Sequence, residues 1–355
     1  MTDFTREELY SLSWQKPELA QIELTSRCNQ NCVFCFSGDR VASTGKCLSL
    51  DDWKKIIDKL IGIGVRKIDF TGRENFLYPA FIPLLRWLKQ QRIIISINTN
   101  GSVAIDASLD FTDLLIFSVH GLRETHDRIV RRKDSFSLVE KNIMKAAEKG
   151  VAVAINMTLV KQNWHQLLPV YRYFEKRCDL AFFSPTIPIR SLHGHHFDDC
   201  ALEISKELLA AYAKKLKQIP GHKLVLKHGY HNLHINEPVH YTGPMFPLPN
   251  CAAGKCKLVV DHDGRVYPCH FFRDESFYCG NLLHEDAAKI WHQGQGFKKF
   301  RNLILDERIP SSCKSCLKKK RCFSGCKAWS EEYQQGGFDD TKDLRCELGS
   351  AFIRS

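Results

Sequence analysis

Two hydrophobic rhythms take turns along the first two hundred residues. Ile22 and Leu24 alternate with polar neighbours and read as a strand. Ser49-Leu50-Asp51-Asp52 reads as a helix start, capped by Ser49 or Asp51, and Trp53, Ile56, Ile57, Leu60 and Ile61 share one face as far as Gly62. Gly64 stops that helix. Further strands are expected over Arg66–Thr71, Ile93–Asn98, Leu114–Val119, Val151–Leu159 and Leu180–Ser184, with helices over Phe81–Gln90, Phe136–Lys149 and Trp164–Lys176. Strands that alternate with helices pair in parallel through helical crossovers. Six such units make a partial or full α/β barrel; the fold class expected is α/β, a partial (β/α)6 TIM-like barrel with a small cysteine-rich C-terminal domain. Functional groups of such a barrel sit in loops at the C-terminal ends of its strands. Residues 185–250 are less regular. Leu202–Ile219 reads as an amphipathic helix, and Pro244, Pro247 and Pro249 mark an extended connection.

Composition narrows the class. A chain of 355 residues with 44% hydrophobic and 26% charged residues is a globular protein large enough for one sizeable domain and a smaller one. No apolar run is long enough to span a bilayer. The polar, acid-containing N-terminus is not a secretory signal, so the expected location is the cytoplasm. Fifteen cysteines in that setting favour metal binding over disulfides. The net charge of +11 fits an acidic partner or a merely basic surface. No motif that reads DNA or RNA is present.

The first predicted strand runs into Cys28, Cys32 and Cys35, a C-x3-C-x2-C spacing with Phe34 before the last cysteine. Three thiolates this close suit one soft metal centre, and an iron–sulfur cluster held by three cysteines keeps one iron open. A zinc knuckle short of a ligand, or unrelated buried thiols, are the alternatives. The next strand end is Thr71-Gly72-Arg73-Glu74-Asn75, where Gly72 allows close backbone approach and Glu74 offers an anion to an ammonium; an ordinary turn is the competing reading. Eight further cysteines lie at ordered spacings in the last third: Cys251, Cys256, Cys269, Cys313, Cys316, Cys322, Cys326 and Cys346. Asp261–Cys269 reads as a hairpin turn leading to a ligand. Taken alone, the eight supply two four-thiolate sites, and zinc is a serious candidate for them. Histidines 193, 195, 196, 222, 228, 231, 234 and 240 crowd the middle stretch without ligand spacing and read as surface or substrate contacts.

The cysteine loop resembles that of the radical S-adenosylmethionine (radical SAM) enzymes. Gly72 and Glu74 match that family's Gly-Gly-Glu-Pro-like motif, which receives the SAM amino group, while Arg73 and Asn75 depart from it. Asn98-Thr99-Asn100-Gly101 is similar to its Thr-Asn-Gly, which brings in Asn100. By the same resemblance Ser118 contacts the SAM ribose, and Arg128 or, preferably, Arg131 holds the SAM carboxylate. His120 is expected to be a structural strand-end histidine. The C-terminal array closely resembles the SPASM extension of this family, from Gly264-x4-Cys269 through Cys313-x2-Cys316-x5-Cys322-x3-Cys326 to Cys346. That resemblance implies two auxiliary 4Fe–4S clusters, one on Cys251, Cys256, Cys269 and Cys326, the other on Cys313, Cys316, Cys322 and Cys346. With the cluster on Cys28, Cys32 and Cys35 the cofactors become three 4Fe–4S clusters and SAM. Cys47, Cys178, Cys200 and Cys279 are left as structural thiols. His270 stands where sulfatase-maturing relatives place an Asp, and is a candidate base or a packing residue. The expected divisions are a radical SAM core over 18–200, a bridging region over 201–245 and a SPASM domain over 246–355.

The chemistry implied is reductive cleavage of SAM to a 5′-deoxyadenosyl radical that takes a hydrogen atom from a substrate carbon. A ribosomally made peptide is the favoured substrate. The alternative is dehydrogenation or epimerisation of a small molecule such as a sugar, aminoglycoside or tetrapyrrole. A non-catalytic metal-binding scaffold is a remote third reading. With about 20 residues ahead of the first strand, a leader-peptide-binding domain is expected on a separate partner. Flavodoxin or ferredoxin is the expected electron donor, and neither nucleic acid nor membrane is an expected partner.

Overall fold

The structure, a computed structural model, describes residues 16–35, 47–186 and 252–305, with isolated positions at 211, 214, 215, 218–220, 223, 326 and 328. Six strands form the framework: β1 (Leu19–Ile22), β2 (Lys67–Phe70), β3 (Ile94–Thr99), β4 (Leu114–Ser118), β5 (Ala152–Thr158) and β6 (Leu180–Thr186). Each is parallel to the next. The crossovers carry α1 (Leu50–Gly62), α2 (Phe81–Gln90), the short α3 (Glu124–Val130), α4 (Ser135–Glu148) and α5 (Leu167–Glu175). This is the open, partial barrel expected from the alternation of elements. Its core lies between sheet and helices: Ile22, Phe70, Ile97, Phe117, Ile155 and Phe183 on alternate strand positions meet Trp53, Leu84, Val139 and Phe174 from the helices.

Local chemistry explains the helix ends. Ser49 caps α1: its Oγ accepts from the Asp52 N–H while the Asp52 carboxylate accepts from the Ser49 N–H, a reciprocal capping box. The helix expected from Trp164 divides instead into a 3-10 turn over Trp164–Gln166 and α5. Pro169 occupies the first turn of α5, where its missing N–H has no helical acceptor to lose.

The C-terminal segment continues the sheet. β7 (Lys257–Val260) lies parallel to β1, and β8 (Arg265–Tyr267) and β9 (Gly280–Asn281) follow in antiparallel order, giving one nine-stranded sheet ordered β6-β5-β4-β3-β2-β1-β7-β8-β9. The expected hairpin is the β7–β8 turn, with Gly264 at φ +84°. α6 (Ala287–Gln293) and α7 (Gln295–Leu305) close this end. A second apolar cluster gathers Phe272, Phe277 and Phe300 with Cys269, and Cys326 packs against it. The expected helix over Leu202–Ile219 and the histidine-rich stretch lie outside the described residues, apart from isolated positions of that helix. Among the described residues no helix is long and apolar enough to cross a membrane.

Candidate functional site

The C-terminal ends of β1 to β4 bring one group of loops together. Cys28, Cys32 and Cys35 follow β1 on a segment fixed by the backbone of α3: Asn31 N–H donates to Val130 O (3.2 Å) and Val33 N–H to Ile129 O (3.0 Å). Cys35 N–H closes a turn onto Cys32 O (3.0 Å). Phe34 sets its ring edge-on to His120, 4.6 Å between centroids. Burial raises the pKa of Cys28 and raises that of Cys32 strongly, and the charge of Cys35 raises each further. Three thiols thus sit within electrostatic reach of one another, in a place that disfavours three bare anions. Among the described residues no three His, Cys, Asp or Glu side chains are set around a single metal ion. A cubane cluster asks for something different, because each cysteine binds its own iron. The spaced thiols of one loop, whose anions need a compensating cation, fit that group.

Glu74 lies beside this loop, which receives its N–H at Arg27 O (3.1 Å). Its carboxylate is buried and accepts from Asn100 N–H (2.8 Å), Phe76 N–H (3.2 Å) and Thr99 Oγ (3.0 Å). Burial outweighs these neutral donors and pushes its pKa up to about 7. The two departures from the motif are absorbed inside the turn. Arg73 and Asn75 are both buried, and Asn75 Nδ2 donates to Asn98 O (3.3 Å). Asn100 ties the loops together: its Nδ2 donates to Asn29 Oδ1 (2.8 Å) and lies 3.9 Å from Cys28 Sγ. Ser118 ends β4, half-buried and in register with Asn156. Arg131 caps α3 in a left-handed conformation (φ +52°), exposed, with its charge lowering the pKa of Cys32 against burial. Arg128 is exposed.

Arg132 was not singled out by the sequence. Its guanidinium donates to Asn29 O and Ser102 Oγ, both at 3.2 Å, and so braces the cysteine loop against the β3 loop. The only hint is its place one residue after Arg131. His120 matches its structural expectation, since Nδ1 accepts from Thr158 N–H (3.0 Å) and burial holds the ring neutral.

The Gly72 backbone, at φ +89°, makes its close approach to Glu23: a Cβ there would stand 2.3 Å from Glu23 Cδ. Glu23 is the centre of a buried charge cluster at the β1–β7 seam. Arg273 donates to its Oε1, His270 Nδ1 lies 3.3 Å from the same oxygen, and Arg273 reaches Asp261 at 3.4 Å. Burial would raise Glu23, yet the Arg273 charge and the His270 hydrogen bond together outweigh it and hold the pKa at about 2. Burial lowers the pKa of His270; the Glu23 carboxylate opposes that shift and Arg273 reinforces it.

Of the auxiliary cysteines, Cys256, Cys269 and Cys326 are described, and Cys269 and Cys326 share the second apolar cluster. Cys251, Cys313, Cys316, Cys322 and Cys346 lie outside the described residues. Among the thiols expected to be structural, Cys178 donates to Phe174 O (3.5 Å) and Cys279 to Phe277 O (3.4 Å), Cys47 lies 3.4 Å from Thr25 Oγ, and Cys200 is outside the described residues.

Cysteine loop, strand-end carboxylate and open parallel sheet agree with the match of residues 22–174 to the radical SAM superfamily, to which this chain belongs. Residues 251–317 match the iron–sulfur cluster-binding domain of SPASM type, so the chain is a radical SAM enzyme with a C-terminal SPASM extension. It is 24% identical over 323 residues to the antilisterial bacteriocin subtilosin biosynthesis protein AlbA of Bacillus subtilis, covering 87% of this chain and 66% of that protein. It is 27% identical over 298 residues to a probable GTP 3′,8-cyclase of Methanococcus maripaludis, covering 82% and 94%. Streptococcus suis SuiB bound to precursor peptide SuiA has the same fold, with TM-score 0.74, 17% identity, and coverage of 94% of this chain and 76% of that one.

Proposed function

We propose that this chain is a radical SAM maturase that abstracts a hydrogen atom from a ribosomally made peptide. The observation that carries the SAM assignment is Glu74, a buried carboxylate whose hydrogen-bond donors are a hydroxyl and two peptide N–H groups. Such a group lacks a full countercharge, and an ammonium at its oxygens supplies one. In this reading Cys28, Cys32 and Cys35 hold the cluster, Glu74 receives the SAM amino group beside Gly72, Asn100 steadies that loop, Ser118 faces the ribose and Arg131 the carboxylate. When bound, the reduced cluster supplies the electron that cleaves SAM to methionine and a 5′-deoxyadenosyl radical, which takes hydrogen from the substrate. Cys251, Cys256, Cys269 and Cys326 hold one auxiliary cluster; Cys313, Cys316, Cys322 and Cys346 hold the other. His270 is the candidate base, for which its ring must take a proton against the charge of Arg273. The likeness to a bacteriocin biosynthesis protein and to the fold of a precursor-peptide complex supports the peptide substrate. A separate leader-peptide-binding protein, a flavodoxin or ferredoxin donor and a cytoplasmic location complete the proposal.

The likeness to a GTP cyclase favours a second reading, oxidation or rearrangement of a small molecule. The test is anaerobic incubation of reconstituted protein with SAM and dithionite, with and without peptides encoded beside its gene. Wild type should give 5′-deoxyadenosine, Cys32→Ala none, and Cys322→Ala 5′-deoxyadenosine without modified product. Product formed on a small molecule, with every neighbouring peptide left unchanged, would favour the second reading. Reconstituted protein should carry about 12 iron per chain, four for each of three clusters.

A further inference from the structure

The face of the sheet turned away from the helices carries two polar groups of opposite character. On β1 to β3 the side chains satisfy one another: Asp69 accepts from Ser96 Oγ (2.8 Å), Asn98 Nδ2 (2.7 Å) and Gln21 Nε2 (2.8 Å), leaving Gln21 Oε1 unbonded. On β4 to β6 a second row runs straight across the ladder. Ser118 pairs in register with Asn156, and Asn156 with Ser184. Their chain neighbours Phe117, Ile155 and Phe183 belong to the helix-side core, and Phe183 packs on Tyr171 of α5 with ring centroids 5.6 Å apart. Alternation along a strand therefore turns Ser118, Asn156 and Ser184 to the inner face.

Ser184 is fully buried, and neither its Oγ nor Asn156 Oδ1 has a hydrogen-bond partner among the described residues. Burying such atoms without partners is unfavourable, so native chains leave few of them. Two on adjacent strands in one register row, near the strand ends that carry the SAM site, are better explained by an outside partner. We propose that Asn156 and Ser184 form a ledge that hydrogen-bonds an uncharged amide of the substrate, a peptide main-chain or carboxamide group. A hydroxyl that donates beside an amide oxygen that accepts matches the paired C=O and N–H of an amide. The spans Leu114–Ser118, Ala152–Thr158 and Phe182–Thr186 contain no Lys, Arg, Asp or Glu, so this ledge has no charge to set against a phosphate or carboxylate. Beyond the row Thr186 Oγ donates to Thr158 Oγ (3.5 Å), so those two hydroxyls serve each other. The amide rests on the peptide reading above; the two unpartnered atoms stand without it.

The test uses the full-length reconstituted protein, Ser184→Ala and the Ser184→Ala/Asn156→Ala pair. Without ligand, Ser184→Ala should raise Tm by about 2 °C, since it deletes a buried hydroxyl that bonds nothing. A fall of that size or more would reveal a partner within the chain and overturn the ledge. SAM affinity by equilibrium dialysis should stay within twofold in both variants; a tenfold loss would give the row to the SAM ribose and also overturn it. N-acetylglycine N-methylamide serves as the amide probe. Its saturation-transfer NMR signal on wild type should fall at least fivefold in the double variant, and equal signals, or none on wild type, contradict the proposal. None of these readouts requires turnover. A wild type that forms no 5′-deoxyadenosine would break the radical SAM assignment while leaving the ledge to be judged by its own measurements.

Discussion

Two buried glutamates, one on each side of Gly72, have opposite fates. Glu23, just after β1, meets Arg273, whose guanidinium together with the His270 hydrogen bond holds the carboxylate at about 2 despite complete burial. Glu74 is equally buried among neutral donors, and burial lifts it to about 7. The difference is one of supply. At the β1–β7 seam the chain provides its own cation, and the charge is structural. At the β2 loop the hydrogen bonds prepare a seat for an anion but leave its charge unbalanced. A carboxylate arranged in that way has room for a cation from outside, and in the proposed function the ammonium of SAM supplies it.

Breaking the self-sufficient pair should have the largest effect on stability. Arg273→Met leaves the buried Glu23 and the half-buried Asp261 beside an apolar chain, at a cost of about 3–5 kcal/mol. Thermal melts should show a drop of many degrees, partly restored by adding Glu23→Gln.

The pH dependence separates the same two carboxylates. The folded pKa of Glu74 lies above its reference of 4.5, so its contribution to stability is full below pH 4.5 and is lost as pH rises through about 7. The folded pKa of Glu23 lies below the same reference, so its contribution is present above pH 4.5 and is lost as pH falls through about 2. Each window is worth on the order of 3 kcal/mol. Chemical denaturation across pH should show Glu74→Gln flattening the neutral side of the ligand-free profile and Glu23→Gln the acid side.

Smaller effects mark the seat itself. Thr99→Val removes one donor to the Glu74 carboxylate and should cost about 1–2 kcal/mol, with SAM binding weakened in step. Ser49→Ala breaks the α1 capping box, which hydrogen-bonds neither glutamate, and should cost about 1 kcal/mol in melts without touching SAM affinity.

Local pattern carried most of the core fold. Phe81–Gln90 folds as read, and the five strands from β2 to β6 fall within a few residues of expectation, because each side of the sheet imposes its own rhythm. That the cysteine loop and Glu74 lie side by side was legible, because both follow the C-terminal ends of neighbouring parallel strands. The joining of β7 to β1 was not, since it depends on a pairing between segments more than two hundred residues apart. The Glu23–Arg273 pair spans 250 residues and gives no local sign, and for that reason the close approach at Gly72 could not be assigned to Glu23 beforehand. Arg132 was hidden by Arg131: one residue's difference along the chain decides which guanidinium turns inward to Asn29 and which stays exposed. The register row Ser118–Asn156–Ser184 likewise emerges only when three strands are laid side by side.

The most direct test of the central claim is the affinity of reconstituted Glu74→Gln protein for SAM, measured by equilibrium dialysis beside its iron content. Glutamine keeps the shape and an acceptor oxygen but removes the charge. If Glu74 takes its cation from SAM, affinity falls at least 100-fold while iron per chain matches wild type. Affinity within threefold of wild type, at equal iron, would contradict the account and return Glu74 to the role of a turn residue.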